Sequence, residues 1–87
     1  MENARWNPLK NEWLRITRGA SFSDLTEHGK FLGTRHHPEH PNQSMMLFEY
    51  RGYVWLVPYV RDREGKFLKT LYPSRKYTKL YRRGVIL

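Results

Sequence analysis

The 87-residue chain contains no cysteine. That removes disulfides, thiolate metal ligands and thiol nucleophiles, and it fits a reducing, cytoplasmic setting. No stretch approaches the ~18–20 apolar residues of a membrane span, so no membrane association is expected. Met1-Glu2-Asn3-Ala4-Arg5-Trp6 has no apolar run behind a basic patch, so no secretory leader is expected. Linker-like runs and internal repeats are missing too, which leaves one domain over residues 1–87. There is no P-loop, dinucleotide fingerprint or serine elbow. The core must come from the 39% hydrophobic residues, and a mean hydropathy of −0.80 makes the remainder polar surface.

Acidic residues are scarce, eight against sixteen Lys and Arg, for a net charge of +8. The imbalance is local. Residues 1–60 carry seven bases and six acids and are close to neutral. Residues 61–87 carry nine bases against Asp62 and Glu64, which is +7 of the +8. A concentrated positive field draws polyanions and raises their local concentration. A charge that served solubility alone has no need of such clustering.

The spacing of punctuating residues predicts an α+β domain: two N-terminal helices, an antiparallel β-meander and a C-terminal helix. Asn7-Pro8 opens the first helix, because Asn accepts from free N–H groups and proline loses nothing at the first helical position. Leu9, Trp13 and Ile16 then fall on one face, and Gly19 closes the helix behind Arg15 and Arg18. A short second helix is expected from Ser23 to near Gly29. His36-His37-Pro38-Glu39-His40-Pro41-Asn42-Gln43-Ser44 reads as a loop. Strands follow at Met45–Tyr50 and Tyr53–Arg61, joined at Arg51-Gly52. The second is apolar on both faces, as a strand covered on both sides is, and Pro58 inside it requires a bulge or an unpaired edge position. After a turn at 62–65, Lys66–Tyr72 forms the next strand, with Phe67, Lys69 and Leu71 on one face and Lys66, Leu68, Thr70 and Tyr72 on the other. Pro73-Ser74 ends it and starts a helix from Arg75 to Arg83, closed by Gly84, with Tyr77, Leu80 and Tyr81 on one side.

Three constellations carry candidate chemistry. Arg75, Lys76, Lys79, Arg82 and Arg83, interleaved with Tyr72, Tyr77 and Tyr81, match the cations and aromatic faces that hold phosphates and unpaired bases. Cleavage of RNA also requires a proton taken from the ribose 2′-OH, stabilisation of the phosphorane, and a proton given to the 5′ oxygen. Arg75, Lys76 and Lys79 suit the stabilising role, and Lys69, Tyr81 or His28 the proton transfers. The second constellation is His28, His36, His37 and His40. The last three lie close together but lack a further ligand type, so no metal and no cofactor is expected, and His28 is either a helix-end partner or a proton-transfer group. The third is an acid–base pair of Glu27 or Glu49 with a histidine, which spacing alone does not establish. Trp55 and Tyr59 read as core.

Trp6-Asn7-Pro8-Leu9-Lys10-Asn11-Glu12-Trp13-Leu14 followed by Arg18-Gly19-Ala20-Ser21-Phe22 resembles the opening of BrnT-family toxins. Pro41-Asn42-Gln43, Gly52-Tyr53-Val54-Trp55-Leu56-Val57-Pro58-Tyr59-Val60 and Phe67-Leu68-Lys69-Thr70-Leu71-Tyr72-Pro73-Ser74-Arg75-Lys76 continue the likeness in order, from Trp6 to Tyr81, to a divergent branch of that family. The resemblance implies a RelE-like fold and a type II toxin–antitoxin pair. In it, a metal-independent endoribonuclease inhibits translation and is neutralised by an acidic ribbon-helix-helix (CopG-like) antitoxin, through which it reaches operator DNA. Arg75 and Lys76 match the family's basic pair after the last strand, and His28 is the nearest counterpart of the histidine many members carry. The alternative from the residues alone is a non-catalytic module that binds RNA, DNA or an acidic protein.

Overall fold

The computed structural model describes residues 4–85. Met1-Glu2-Asn3, at the head of the stretch read for a leader, and Ile86-Leu87 lie outside them. The order of elements is β1 (Ala4–Arg5), α1 (Pro8–Arg18), α2 (Phe22–His28), β2 (Lys30–His36), β3 (Ser44–Tyr50), β4 (Tyr53–Asp62), β5 (Gly65–Leu68), β6 (Tyr72–Pro73) and α3 (Arg75–Arg82). The protein is α+β, as its sequence predicts. The six-stranded sheet runs β1-β5-β4-β3-β2, with β6 continuing along β4 beyond β5. It is mixed rather than a pure meander, because β1 pairs parallel with β5.

Alternation along β3 and β4 divides the core into two layers. Met46, Phe48, Trp55, Val57 and Tyr59 face one way and are covered by Leu14, Ala20, Phe22 and Leu25 of the N-terminal helical segment. Met45, Leu47, Val54 and Leu56 face the other way with Leu32, under Tyr72 and the α3 residues Tyr77 and Tyr81. Both faces of β4 are therefore covered, and Trp55 and Tyr59 are core residues.

The hairpin turn has Arg51 at φ 55° and Gly52 at φ 80°, the paired left-handed geometry that matches the twist of the flanking strands. Pro58 occupies the kind of place its chemistry requires. Its carbonyl accepts from the Lys69 N–H at 2.8 Å, so this edge of β4 faces the gap between β5 and β6. Tyr59 pairs with Leu68 and Leu56 with Tyr72, so three residues of one strand lie opposite two of the other. This is a bulge, and a missing N–H there costs no ladder bond.

Four expectations need correction. The Lys66–Tyr72 strand is broken by that bulge, and the extra residue reverses the alternation: Leu68 and Leu71 both enter the α1/α2 layer, while Tyr72 enters the α3 layer. The second helix begins after Ser21 rather than at Ser23. Ser21 Oγ accepts from Asp24 N–H at 3.1 Å, and the Asp24 carboxylate accepts from Ser21 N–H at 3.0 Å, a reciprocal cap with Asp in place of the longer Glu. Ser23 instead accepts from Asn11 Nδ2 at 3.1 Å. Strand β2 was not expected, and it draws His36 out of the predicted loop. The two-residue β1 was not expected either.

α1 begins and ends as its sequence predicts. Asn7 Oδ1 accepts from Leu9 N–H at 2.8 Å, and Gly19 at φ 79° donates to the Arg15 carbonyl. Its orientation is unusual. Leu14 and Asn11 are buried, whereas Leu9, Trp13 and Ile16 are 83%, 51% and 81% exposed. The helix is seated by polar contacts: Arg15 donates to Ser21 Oγ and Ser23 Oγ, each at 3.1 Å, and Arg18 donates to the Leu71 carbonyl.

Candidate functional site: the cationic face of α3

Ser74 caps α3 by accepting from Tyr77 N–H at 3.1 Å. Thr78 fixes its rotation. The Thr78 hydroxyl donates to the Ser74 carbonyl at 2.6 Å and accepts from the buried Val54 N–H at 2.9 Å. Val54 also accepts from Ser74 N–H at 2.8 Å, so both backbone groups of one β4 residue hold the start of α3. With Tyr77 and Tyr81 turned into the core, the 3.6-residue period turns positions 75, 76, 79 and 83 outward.

Arg75, Lys76, Lys79 and Arg83, with Leu80, line an open depression of about 410 Å³. Four cations surround one half-buried leucine, and residues 65–87 contain no Asp or Glu side chain to neutralise them. Lys79 stands four residues from both Arg75 and Arg83, a like-charge spacing that costs a few tenths of a kcal/mol per pair. Arg75 and Lys76 also sit in the first turn, where the helix dipole disfavours cations and the helix has no acid. The arrangement opposes helix stability and favours an anion placed over the helix.

The sequence-predicted residues fall into separate groups. Arg75, Lys76, Lys79 and Arg83 are brought together. Arg82 donates to the Gly52 carbonyl at 2.9 Å and ties the end of α3 to the hairpin turn. Lys69 leaves from the bulge with its ammonium 5.7 Å from the Phe67 ring centroid. Tyr81 packs into the α3 layer. Tyr72 does so too, with its hydroxyl 3.9 Å from Met45 Sδ, and burial, then the charges of Glu39 and Tyr77, raise its phenol above the usual 10.0. At neutral pH Tyr72 is a proton holder and hydrogen-bond donor rather than a base. His28 ends α2, whose Phe22 and Leu25 pack on the opposite face of the sheet from α3. Arg75 and His28 are therefore on different sides of the sheet.

Glu49, His37 and His40 have local partners. Glu49 accepts from Gly52 N–H at 2.9 Å inside the turn. His37 Nδ1 accepts from Glu39 N–H at 3.1 Å, and its ring lies 4.6 Å from that of His40. No group of three His, Cys, Asp or Glu able to hold a metal occurs among the described residues. No helix among them is long and apolar enough to cross a membrane. Leu80, which spacing places on one side with Tyr77 and Tyr81, instead lines the depression, a place set by Thr78, which carries no sequence signal of its own. No family model, curated protein or solved structure matches this chain.

Proposed function

We propose that this chain is an RNA-directed toxin of the BrnT kind, acting as a metal-independent endoribonuclease through the outer face of α3. The observation that carries the reading is the convergence of Arg75, Lys76, Lys79 and Arg83 on one open depression, within the third of the chain that holds nearly all the net charge. In this reading the guanidinium of Arg75 and the ammonium groups of Lys76 and Lys79 hold the non-bridging oxygens of the scissile phosphate. They stabilise the charge that grows as the 2′-oxygen attacks. Lys69 and Tyr81 stand nearer that chemistry in the chain than His28, whose side of the sheet argues against it. The toxin works in the cytoplasm, and an acidic ribbon-helix-helix antitoxin silences it and carries it to operator DNA.

A second reading is favoured by one specific observation: among the described residues, the walls of the depression hold neither an imidazole nor a carboxylate. On that reading the face binds RNA without cutting it.

One experiment separates the two. The protein and Arg75→Ala are expressed in bacteria, RNA 5′ ends are mapped, and RNA affinity of the purified proteins is measured against salt. A nuclease gives new ends and growth arrest that Arg75→Ala abolishes. A binder gives intact RNA and a log K against log salt slope of about −0.7 per phosphate contacted. Neither new ends nor salt-dependent affinity refutes both.

A further inference from the structure

α1 buries Leu14 in the core but turns its apolar stripe to solvent and sets polar residues beside Leu14 against the protein. Asn11, Arg15 and Arg18 make the inward contacts, while Leu9, Trp13 and Ile16, at positions i, i+4 and i+7, form a continuous exposed stripe. An amphipathic surface helix does the reverse. Among the described residues, Leu9 and Ile16 are the two most exposed large hydrophobics. We propose that this stripe is a two-fold contact with a second copy of the same chain, α1 packing antiparallel against α1.

Three observations favour a second copy. First, the rim is self-complementary. Glu12 and Arg15, paired at 2.6 Å within one chain, lie along one edge of the stripe. In an antiparallel arrangement that edge faces its own copy with the order of charges reversed, as an isologous interface requires. Second, the charge distribution permits it. Residues 1–60 are close to neutral, and the cationic α3 covers the other face of the sheet. Joining two copies through α1 keeps both basic faces apart, whereas an acidic partner is drawn to α3. Third, the area is of the right order. At their exposures the three side chains present on the order of 400 Å² per copy, the size of patch that is usually functional on a monomer. Doubled, this is about 800 Å², and burial of Lys10, Glu12 and Thr17 at the rim would have to supply the remainder of the ~1,000 Å² that a specific interface needs. The Trp13 ring is already held under Arg18, whose guanidinium lies 5.7 Å from the ring centroid, so little side-chain freedom is lost on docking.

The inference stands apart from the RNA reading, and salt separates them: RNA binding weakens as salt rises, whereas an apolar contact between two positive chains holds or strengthens. The test is the mass of the full chain by light scattering and sedimentation over a concentration series, for wild type and Ile16→Glu. Ile16 is exposed, so the variant keeps its circular dichroism and, at dilutions where both chains are monomeric, its melting temperature. The expected result is a concentration-dependent dimer in wild type, weakened roughly tenfold or more in Ile16→Glu. Because the chain has no cysteine, Glu12→Cys near the two-fold axis should oxidise to a covalent dimer, and Lys79→Cys on the far face should not. A wild-type chain that stays monomeric throughout, an Ile16→Glu chain that dimerises equally, or equal cross-linking from both cysteines overturns the proposal. A monomer leaves the stripe to a partner of different sequence.

Discussion

Replacing Thr78 by Val tests what holds the cationic helix in place. The side chains are nearly equal in shape, so the substitution leaves no cavity. It removes the hydroxyl that accepts from Val54 N–H and donates to the Ser74 carbonyl. Thr78 is only 3% exposed and Val54 is fully buried, so water cannot replace the lost acceptor. Leaving one buried donor unsatisfied costs about 1–3 kcal/mol. The Ser74 carbonyl keeps its helical bond from Thr78 N–H at 3.0 Å and adds little. The expected loss is therefore about 2 kcal/mol, which in a domain of this size lowers the melting temperature by roughly 8–16 °C. Urea unfolding followed by tryptophan fluorescence measures it, with the midpoint moving and the slope unchanged. Thr78→Ser keeps the hydroxyl and loses a methyl group, so it should cost about 1 kcal/mol. If Thr78→Val lies within about 0.5 kcal/mol of wild type, or Thr78→Ser is the more damaging, the argument that this hydroxyl seats α3 on β4 is wrong.

Two further perturbations follow from contacts elsewhere. Ser21→Ala removes the acceptor for Asp24 N–H and Arg15, so stability should fall by about 1–2 kcal/mol in the same urea assay, and Ser21→Thr should restore part of it. The Arg5 guanidinium at 2.5 Å, then the Glu64 backbone N–H, hold the Asp62 carboxyl below its usual 3.8. A depressed carboxyl stabilises the fold above its unfolded value and loses that contribution as pH falls through the folded one. Acid unfolding should therefore begin at higher pH in wild type than the same curve would show without this loss, so Asp62→Asn should have a shallower dependence of stability on pH below 3.8, read from urea midpoints across an acid series.

Much of the fold is legible because single residues punctuate it. Asn7-Pro8, Gly19, Arg51-Gly52, Ser74 and Gly84 each act through backbone chemistry that is independent of context. Pro58 announced a bulge without showing where the extra residue would enter, because β5 and β6 share a partner that local pattern does not reveal. β2 escaped notice because Lys30–His36 contains Gly33 and only Phe31 and Leu32 as apolar residues; its pairing comes from the β3 backbone. The outward stripe of α1 was legible as a stripe but not in direction, since that depends on where Asn11, Arg15 and Arg18 find partners. At the site, the cluster of cations was visible, and the period of α3 brings four of them together. The separation of His28 from them was not visible, because it follows from which helix lies on which side of the sheet.

The parallel pairing of β1 with β5 also bears on how the chain comes to be folded. Ala4 meets Lys66, sixty-two positions later, and Arg5 reaches on to Asp62 and Glu64. Closing so long a loop is slow relative to forming the β3–β4 hairpin, whose partners are neighbours in the chain. During synthesis β1 leaves the ribosome before the β3–β4 hairpin and waits for β5. The sheet gains this edge only after Lys66 has emerged, so the hairpin is in place before β1 finds its partner.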